Sequence, residues 1–305
     1  MVPMPLTHAN ADGNRLADPA GTVSRLRSAL AETAPDAPLA IMVHGLSYSP
    51  GQPARCPHRK LYGPTCPEAW GRRLGTGTAG SPVALGFGWE SRGSIWRAYG
   101  RAPEAGRALA ELVEVAAALA PSRRITLIAH SLGARVALQA LRHLAPGTAH
   151  RAILLAACEF RAPAAHALDC AAGAALDVLN VTARQNRAFD LLMEYGFAPG
   201  RRGCTTLARG MAGRARWCDL DLSCAEARAT LSRLGHPVAA PQAWVCHGAT
   251  YLTPGLFSLY RAALSDASLL PRLRAALPAP APRRMAANLV RLATFALPAG
   301  NRTPS

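Results

Sequence analysis

Arg124-Ile125-Thr126-Leu127-Ile128-Ala129-His130-Ser131-Leu132-Gly133-Ala134-Arg135-Val136-Ala137-Leu138 is the stretch that decides the fold. Ile125 to Ala129 is a short apolar run of the kind that is buried on both faces of a sheet. The chain then turns at His130-Ser131-Leu132-Gly133 and continues with Val136, Leu138, Leu141 and Leu144 at helical spacing. A strand, a sharp turn and a helix with Ser at the apex is the context of a nucleophile elbow. Small residues two before and two after the Ser, Ala129 and Gly133, let strand and helix approach closely. The usual first glycine of the motif is Ala here, which is small enough. A hydroxyl cap on an ordinary helix would give the same local pattern, so the rest of the chain has to decide between the two.

Upstream, Pro38 to Val43 predicts a second buried strand, running into His44-Gly45-Leu46. His-Gly after a strand places a permissive backbone where an N–H can face a developing oxyanion. Further apolar strands are expected over 82–89, 152–157, 177–182 and 216–222. Helices are expected over 22–32, 104–119, after the elbow, before Ala175, from the Ser223 capping box to Leu234, and over 256–264. Strands that are apolar throughout and alternate with helices predict an α/β protein, a mainly parallel sheet with helices on both faces.

His44-Gly45-Leu46 after one strand and Ala129-His130-Ser131-Leu132-Gly133 after another resemble the α/β-hydrolase superfamily, over roughly Pro38 to Leu264. The segments Cys56-Pro57-His58-Arg59, Gly86-Phe87-Gly88-Trp89 and Tyr251-Leu252-Thr253-Pro254 are similar to those of a bacterial subgroup. The resemblance implies a serine hydrolase acting on carboxylic esters or thioesters through an acyl-enzyme, with the chain order Ser, acid, His. Ser131 is then the nucleophile and His247, after the last strand, the base. Asp190 is the first choice for the acid, with Asn186, Glu194 and Glu159 as alternatives. The N–H groups of Leu132 and Leu46 are expected to donate to the oxyanion, and His44, Gly45, His130 and Trp89 to line the substrate pocket. Trp96 and Tyr99 are further pocket or core candidates. This chemistry implies no metal and no organic cofactor. A catalytically inactive member of the fold that binds a ligand is the alternative.

The chain divides into a lead-in over 1–36, a catalytic domain over 37–265 with a flap loop over 47–81, and a Pro/Arg-rich tail over 266–305. Within the tail, 283–297 has the spacing of a basic amphipathic helix. The 305 residues carry 34 Lys+Arg against 18 Asp+Glu, a formal charge of +16, and Lys60 is the only lysine. Such charge raises nucleic acid or an anionic membrane as partners. The arginines are dispersed without interleaved stacking aromatics, so no specific nucleic acid is expected, and a membrane surface ranks below a small-molecule ester. Eight scattered cysteines and no visible signal segment point to reduced thiols and the cytoplasm. Cys56, His58 and Cys66 in the flap raise a zinc site, but a fourth ligand is missing.

Overall fold

The computed structural model describes residues 6–63, 69–75, 81–197, 204–211 and 213–279. Their strands form one sheet in the order β2-β1-β4-β3-β5-β6-β7-β8. The strands are β1 (Leu6–Asp12), β2 (Arg15–Leu16), β3 (Leu39–Val43), β4 (Val83–Gly88), β5 (Ile125–His130), β6 (Arg151–Leu155), β7 (Asp177–Thr182) and β8 (Trp217–Asp221). Every pairing is parallel except β1 with β2.

Alternation along the strands feeds two cores, one on each face. On β3, Leu39, Ile41 and Val43 join one core, and Ala40 and Met42 the other. The first core is closed by α1 (Pro19–Ala31), α3 (Ile95–Leu119), α4 (Leu132–Ala140), α5 (Arg161–Leu168) and α6 (Ala171–Ala175). The second takes the described flap residues Leu61, Tyr62, Trp70 and Leu74, with α8 (Ala225–Arg233), α10 (Leu256–Ser265) and α11 (Leu269–Ala276). Helices on both faces explain why the strands read as unbroken apolar runs.

The structure departs from the sequence reading at both ends. The lead-in is part of the sheet: β1 runs parallel to β4, from Leu6 opposite Ala84 to Asn10 opposite Gly88. Its His-Ala-Asn-Ala-Asp pattern lacks the apolar signal of an inner strand because β1 lies near the sheet edge. At the other end the domain continues past 265. Leu269, Leu270 and Leu273 of α11 are buried, and the Arg151 guanidinium at the start of β6 donates to the Ala263 and Asp266 carbonyls. The expected helix over 283–297 lies outside the described residues.

Helix α3 begins nine residues before the expected start and runs through Pro103. Proline has no N–H for the carbonyl four residues back, which is Tyr99. Arg135 of α4 takes its place, donating Nε to the Tyr99 carbonyl at 3.1 Å. The same guanidinium lies 3.6 Å over the Tyr99 ring and reaches the buried Glu159 carboxylate at 2.6 Å. Tyr99 completes the group with an O–H donated to Glu159 at 2.7 Å.

Two glycines of β4 explain where the flap sits. A Cβ on Gly86 would meet the Tyr62 ring at 2.5 Å, and one on Gly88 would meet His58 Nε2 at 2.8 Å. The bare strand face admits the single π turn His58–Tyr62 onto the sheet, where His58 Nε2 pairs with Asn10 Oδ1 of β1 at 2.6 Å.

Gly133 is the tightest point of the elbow: a Cβ there would lie 2.5 Å from the Val43 carbonyl oxygen and 2.6 Å from that of His44. Gly133→Ala is therefore expected to destabilise the fold by about 1–3 kcal/mol. Exposed Gly100 of α3, where a Cβ meets nothing within 4 Å, should gain about 0.5–1 kcal/mol as Ala. Denaturant unfolding of both variants checks the contrast.

Candidate active site

Ser131 joins β5 to α4 with φ 54° and ψ −123°. L-residues rarely adopt this backbone, at a cost of order 1–3 kcal/mol, unless the surroundings enforce it. Here the Ser131 N–H donates to the Leu155 carbonyl at 2.9 Å, and its carbonyl accepts from the Cys158 N–H at 3.0 Å. The hydroxyl makes no capping bond to α4, so the residue is not an ordinary helix cap. Oγ lies instead against the Cys158 thiol, whose pKa is pushed up by burial and by neighbouring Glu159.

The His44-Gly45-Leu46 loop lies against this turn. A Cβ on Gly45 would come within 2.7 Å of Ser131 Cβ and 3.2 Å of Oγ. The segment after β4 pins the loop. The Ser91 hydroxyl donates to the Gly45 carbonyl at 2.8 Å and accepts from the Tyr48 N–H at 3.0 Å, and the Ser47 N–H donates to the Ser91 carbonyl. Among the described residues nothing accepts the Leu46 N–H. The Leu132 N–H stands in the first turn of α4, where no helical acceptor exists. Two backbone donors thus flank Ser131.

The expected pocket residues separate at this point. Only Gly45 borders the serine hydroxyl. His44 is fully buried and stacks on Trp89 with ring centroids 5.7 Å apart. Its Nε2 accepts from the Trp89 N–H at 3.1 Å, so Nδ1 carries the proton and donates to the Gly45 carbonyl at 2.9 Å. Trp89, 1% exposed, donates its indole N–H to the His44 carbonyl at 3.0 Å. Both are pillars of the loop and not pocket walls. His130 is buried too, and its Nε2 donates to the His247 carbonyl at 3.1 Å. Sequence spacing shows which residues flank the serine but not which way their rings turn.

That His130 contact brings His247 to the residue beside the serine, with the two imidazoles 4.6 Å apart. Ser131 Oγ and His247 make no direct hydrogen bond. His247 Nδ1 meets Asn186 Oδ1 at 2.5 Å, and Asn186 Nδ2 donates to Asp190 Oδ1 at 2.7 Å. A carboxylate only accepts, so Asp190 dictates which end of the amide faces it and leaves Oδ1 for the imidazole. The proton therefore sits on Nδ1, and Nε2 keeps its lone pair. Burial pushes the His247 pKa down to about 4.

The first choice of acid is corrected by this geometry: Asp190 stands one residue behind the group that touches the ring. Asn186 ends the short 3₁₀ turn Arg184–Asn186 directly after β7 and reaches His247, whereas Asp190 lies on α7 (Arg187–Phe197). Glu194 is occupied by Thr206 and Arg209, and Glu159 by Arg135 and Tyr99. Closeness to the strand end is the sequence signal that favours Asn186. Cys66 of the considered zinc set lies outside the described residues, among which no three His, Cys, Asp or Glu side chains form a metal-binding group.

A cleft of about 480 Å³ opens between Arg184, Gln185, Arg187 and Ala188 on one side and the loop Pro241 to Val245 on the other. Its two walls are the segments that carry Asn186 and His247. Phe189, next to one wall, packs 4.4 Å from the His247 ring.

Four histidines are held neutral mainly by burial, with pKa values pushed down to about 4 for His44 and His247 and about 3 for His58 and His130. In the unfolded chain they titrate near 6.5. Between that pH and about 4 the unfolded state binds more protons, so stability falls as pH falls. The slope is up to about 1.4 kcal/mol per pH unit for each histidine. Denaturant unfolding at pH 7, 6 and 5 should show this decline, with a shallower slope in His58→Gln. A flat profile would mean that these rings are hydrated in the native state.

Residues 74–180 match the model of a family described as alpha/beta hydrolase of unknown function (DUF900). The match spans the serine elbow but stops short of Asn186 and His247. Comparison with curated proteins gives no match. A mainly parallel sheet flanked by helices, an elbow at the end of a central strand and this family match are those of the α/β-hydrolase fold.

Proposed function

We propose that the protein is a serine hydrolase that cleaves a carboxylic ester or thioester by way of an acyl-enzyme. The observation that carries this is the Ser131 backbone, held at positive φ with its hydroxyl uncapped. Strain of that kind persists where the surroundings over-determine it, and it clusters at active sites.

In this reading Ser131 Oγ turns from Cys158 toward His247 and attacks the substrate carbonyl carbon. His247 Nε2 takes the hydroxyl proton. The new oxyanion is met by the N–H groups of Leu46 and Leu132, a contribution of about 3 kcal/mol for each donor. Collapse expels the alcohol or thiol, which leaves with the proton from Nε2. A water molecule, deprotonated by the same nitrogen, then releases the acid and restores Ser131.

Asn186 fills the place that an acid holds in related triads. Where Asn replaces Asp in such a triad, turnover drops about 10⁴-fold because the imidazole takes the wrong tautomer. Asp190 removes that fault here by orienting the amide, so Nδ1–H has an acceptor. An uncharged partner does not raise the basicity of the ring. His247 thus stays deprotonated down to about pH 4, at the cost of weaker stabilisation of the imidazolium.

Purified protein should hydrolyse a short-chain aryl ester and take a fluorophosphonate on Ser131. Ser131→Ala should lose roughly 10⁶ in kcat if the triad acts as a unit. Asn186→Asp places a charge on Nδ1–H and should move the acid limb of kcat/KM upward by about one pH unit or more. An unmoved limb would show that Asn186 does not contact the working base. Asp190→Ala, which frees the amide to flip, should cost about 10²-fold or more in kcat with little change in KM.

The second reading is a member of the fold that binds a ligand without turning it over. The uncharged Asn186 and the Ser131 hydroxyl facing Cys158 favour it. Full-length protein that binds ester analogues but takes no fluorophosphonate at any pH from 5 to 9 would establish it.

A further inference from the structure

The rim of the His247 cleft is unusually apolar for a soluble surface. Trp244 is 97% exposed and Val245 62% exposed, on the loop that delivers His247. Phe189 is 38% exposed on α7, and Trp96, 48% exposed, stacks on Phe197 at the far end of that helix. A protruding Trp-Val pair does not line a cavity. It has the form of a tip that enters an apolar phase, with the indole at the boundary.

Charge restricts what covers this rim. Arg184 and Arg187 stand on the opposite wall of the cleft, and none of the residues lining it is acidic. The Arg184 guanidinium has no hydrogen-bond or ion-pair partner among the described residues. The whole chain carries +16, so a second copy would meet like charge. The protein's own 280–305 segment is an equally poor fit, with Arg283, Arg284, Arg291 and Arg302 and no Asp or Glu. The internal staples Arg123, Arg135 and Arg151 are buried or paired, whereas Arg184 is exposed at the cleft. Apolar tips flanked by arginines complement a surface that is anionic outside and apolar beneath.

We infer that the cleft rim docks on an anionic lipid bilayer, with Trp244 and Val245 entering the acyl boundary and Arg184 and Arg187 meeting the headgroup phosphates. This orients the His247 loop toward the lipid phase. Docking is independent of the hydrolase reading, because binding is measured without turnover.

The test uses the full chain with vesicles of phosphatidylglycerol and phosphatidylcholine, and with phosphatidylcholine alone. Co-sedimentation is expected with the anionic vesicles, weakening as salt rises. Trp244→Ser with Val245→Ser should weaken it by about tenfold or more, and Arg184→Gln with Arg187→Gln should flatten the salt dependence. Tryptophan emission should be quenched by brominated acyl chains in the wild type and not in Trp244→Phe. Absence of binding to anionic vesicles at low salt overturns the inference. So does undiminished binding by the Trp244/Val245 double variant, which would make the attraction diffuse charge alone. Sedimentation equilibrium showing a dimer that Trp244→Ser dissolves would assign the rim to a second copy instead.

Discussion

One close approach governs the architecture: the turn after β5 lies directly on the end of β3, with Gly133 against the Val43 and His44 carbonyls and Gly45 against Ser131. No side chain fits at either glycine. Because β3 and β5 are adjacent in the sheet, their C-terminal ends emerge side by side. The loop after one strand and the helix after the other must then share a space that only bare backbone can enter. Ser131 is driven to positive φ by that crowding and by hydrogen bonds to Leu155 at the end of β6 and to Cys158 just beyond it. The strain, the exposed donors and the placement of the hydroxyl share one cause.

Histidine serves this protein mainly as a neutral spacer. His44 bridges the Gly45 carbonyl and the Trp89 N–H, His130 holds the His247 carbonyl, and His58 fastens the flap to β1. At His44 the one donor and one acceptor of a neutral imidazole satisfy two buried backbone groups at once. The role requires the uncharged form, which burial enforces. The proposed base, His247, shares that low basicity through burial. In the proposed site Asn186 adds no charge that would offset this burial, so the imidazole stays neutral well into acid.

The charge of the chain divides in two by location. Some arginines are internal fasteners: Arg135 supplies the bond that Pro103 denies to Tyr99, Arg151 ties β6 to the end of α10, and Arg123 closes the end of α1 on the Leu30 carbonyl. Others border the cleft at Arg184 and Arg187 beside exposed Trp244. A basic composition alone conveys neither role, because net charge has no address.

The six apolar strands from 38 to 222 and the helices between them were legible from periodicity, since burial on both faces demands apolar runs of strand length. The elbow was legible because its Ser and Gly are imposed by local backbone geometry. The edge strands β1 and β2 were not, since half-polar strands carry no signal until a neighbour pairs with them. Ser131, His247 and the 186–190 segment could be nominated by chain order alone. Which of Asn186 and Asp190 meets the imidazole, and which way His44, His130 and Trp89 turn, were decided only in three dimensions. Chain order limits which segments gather at one edge of a sheet, but a hydrogen bond depends on distances of a few tenths of an ångström, and those arise from packing between segments distant in the chain.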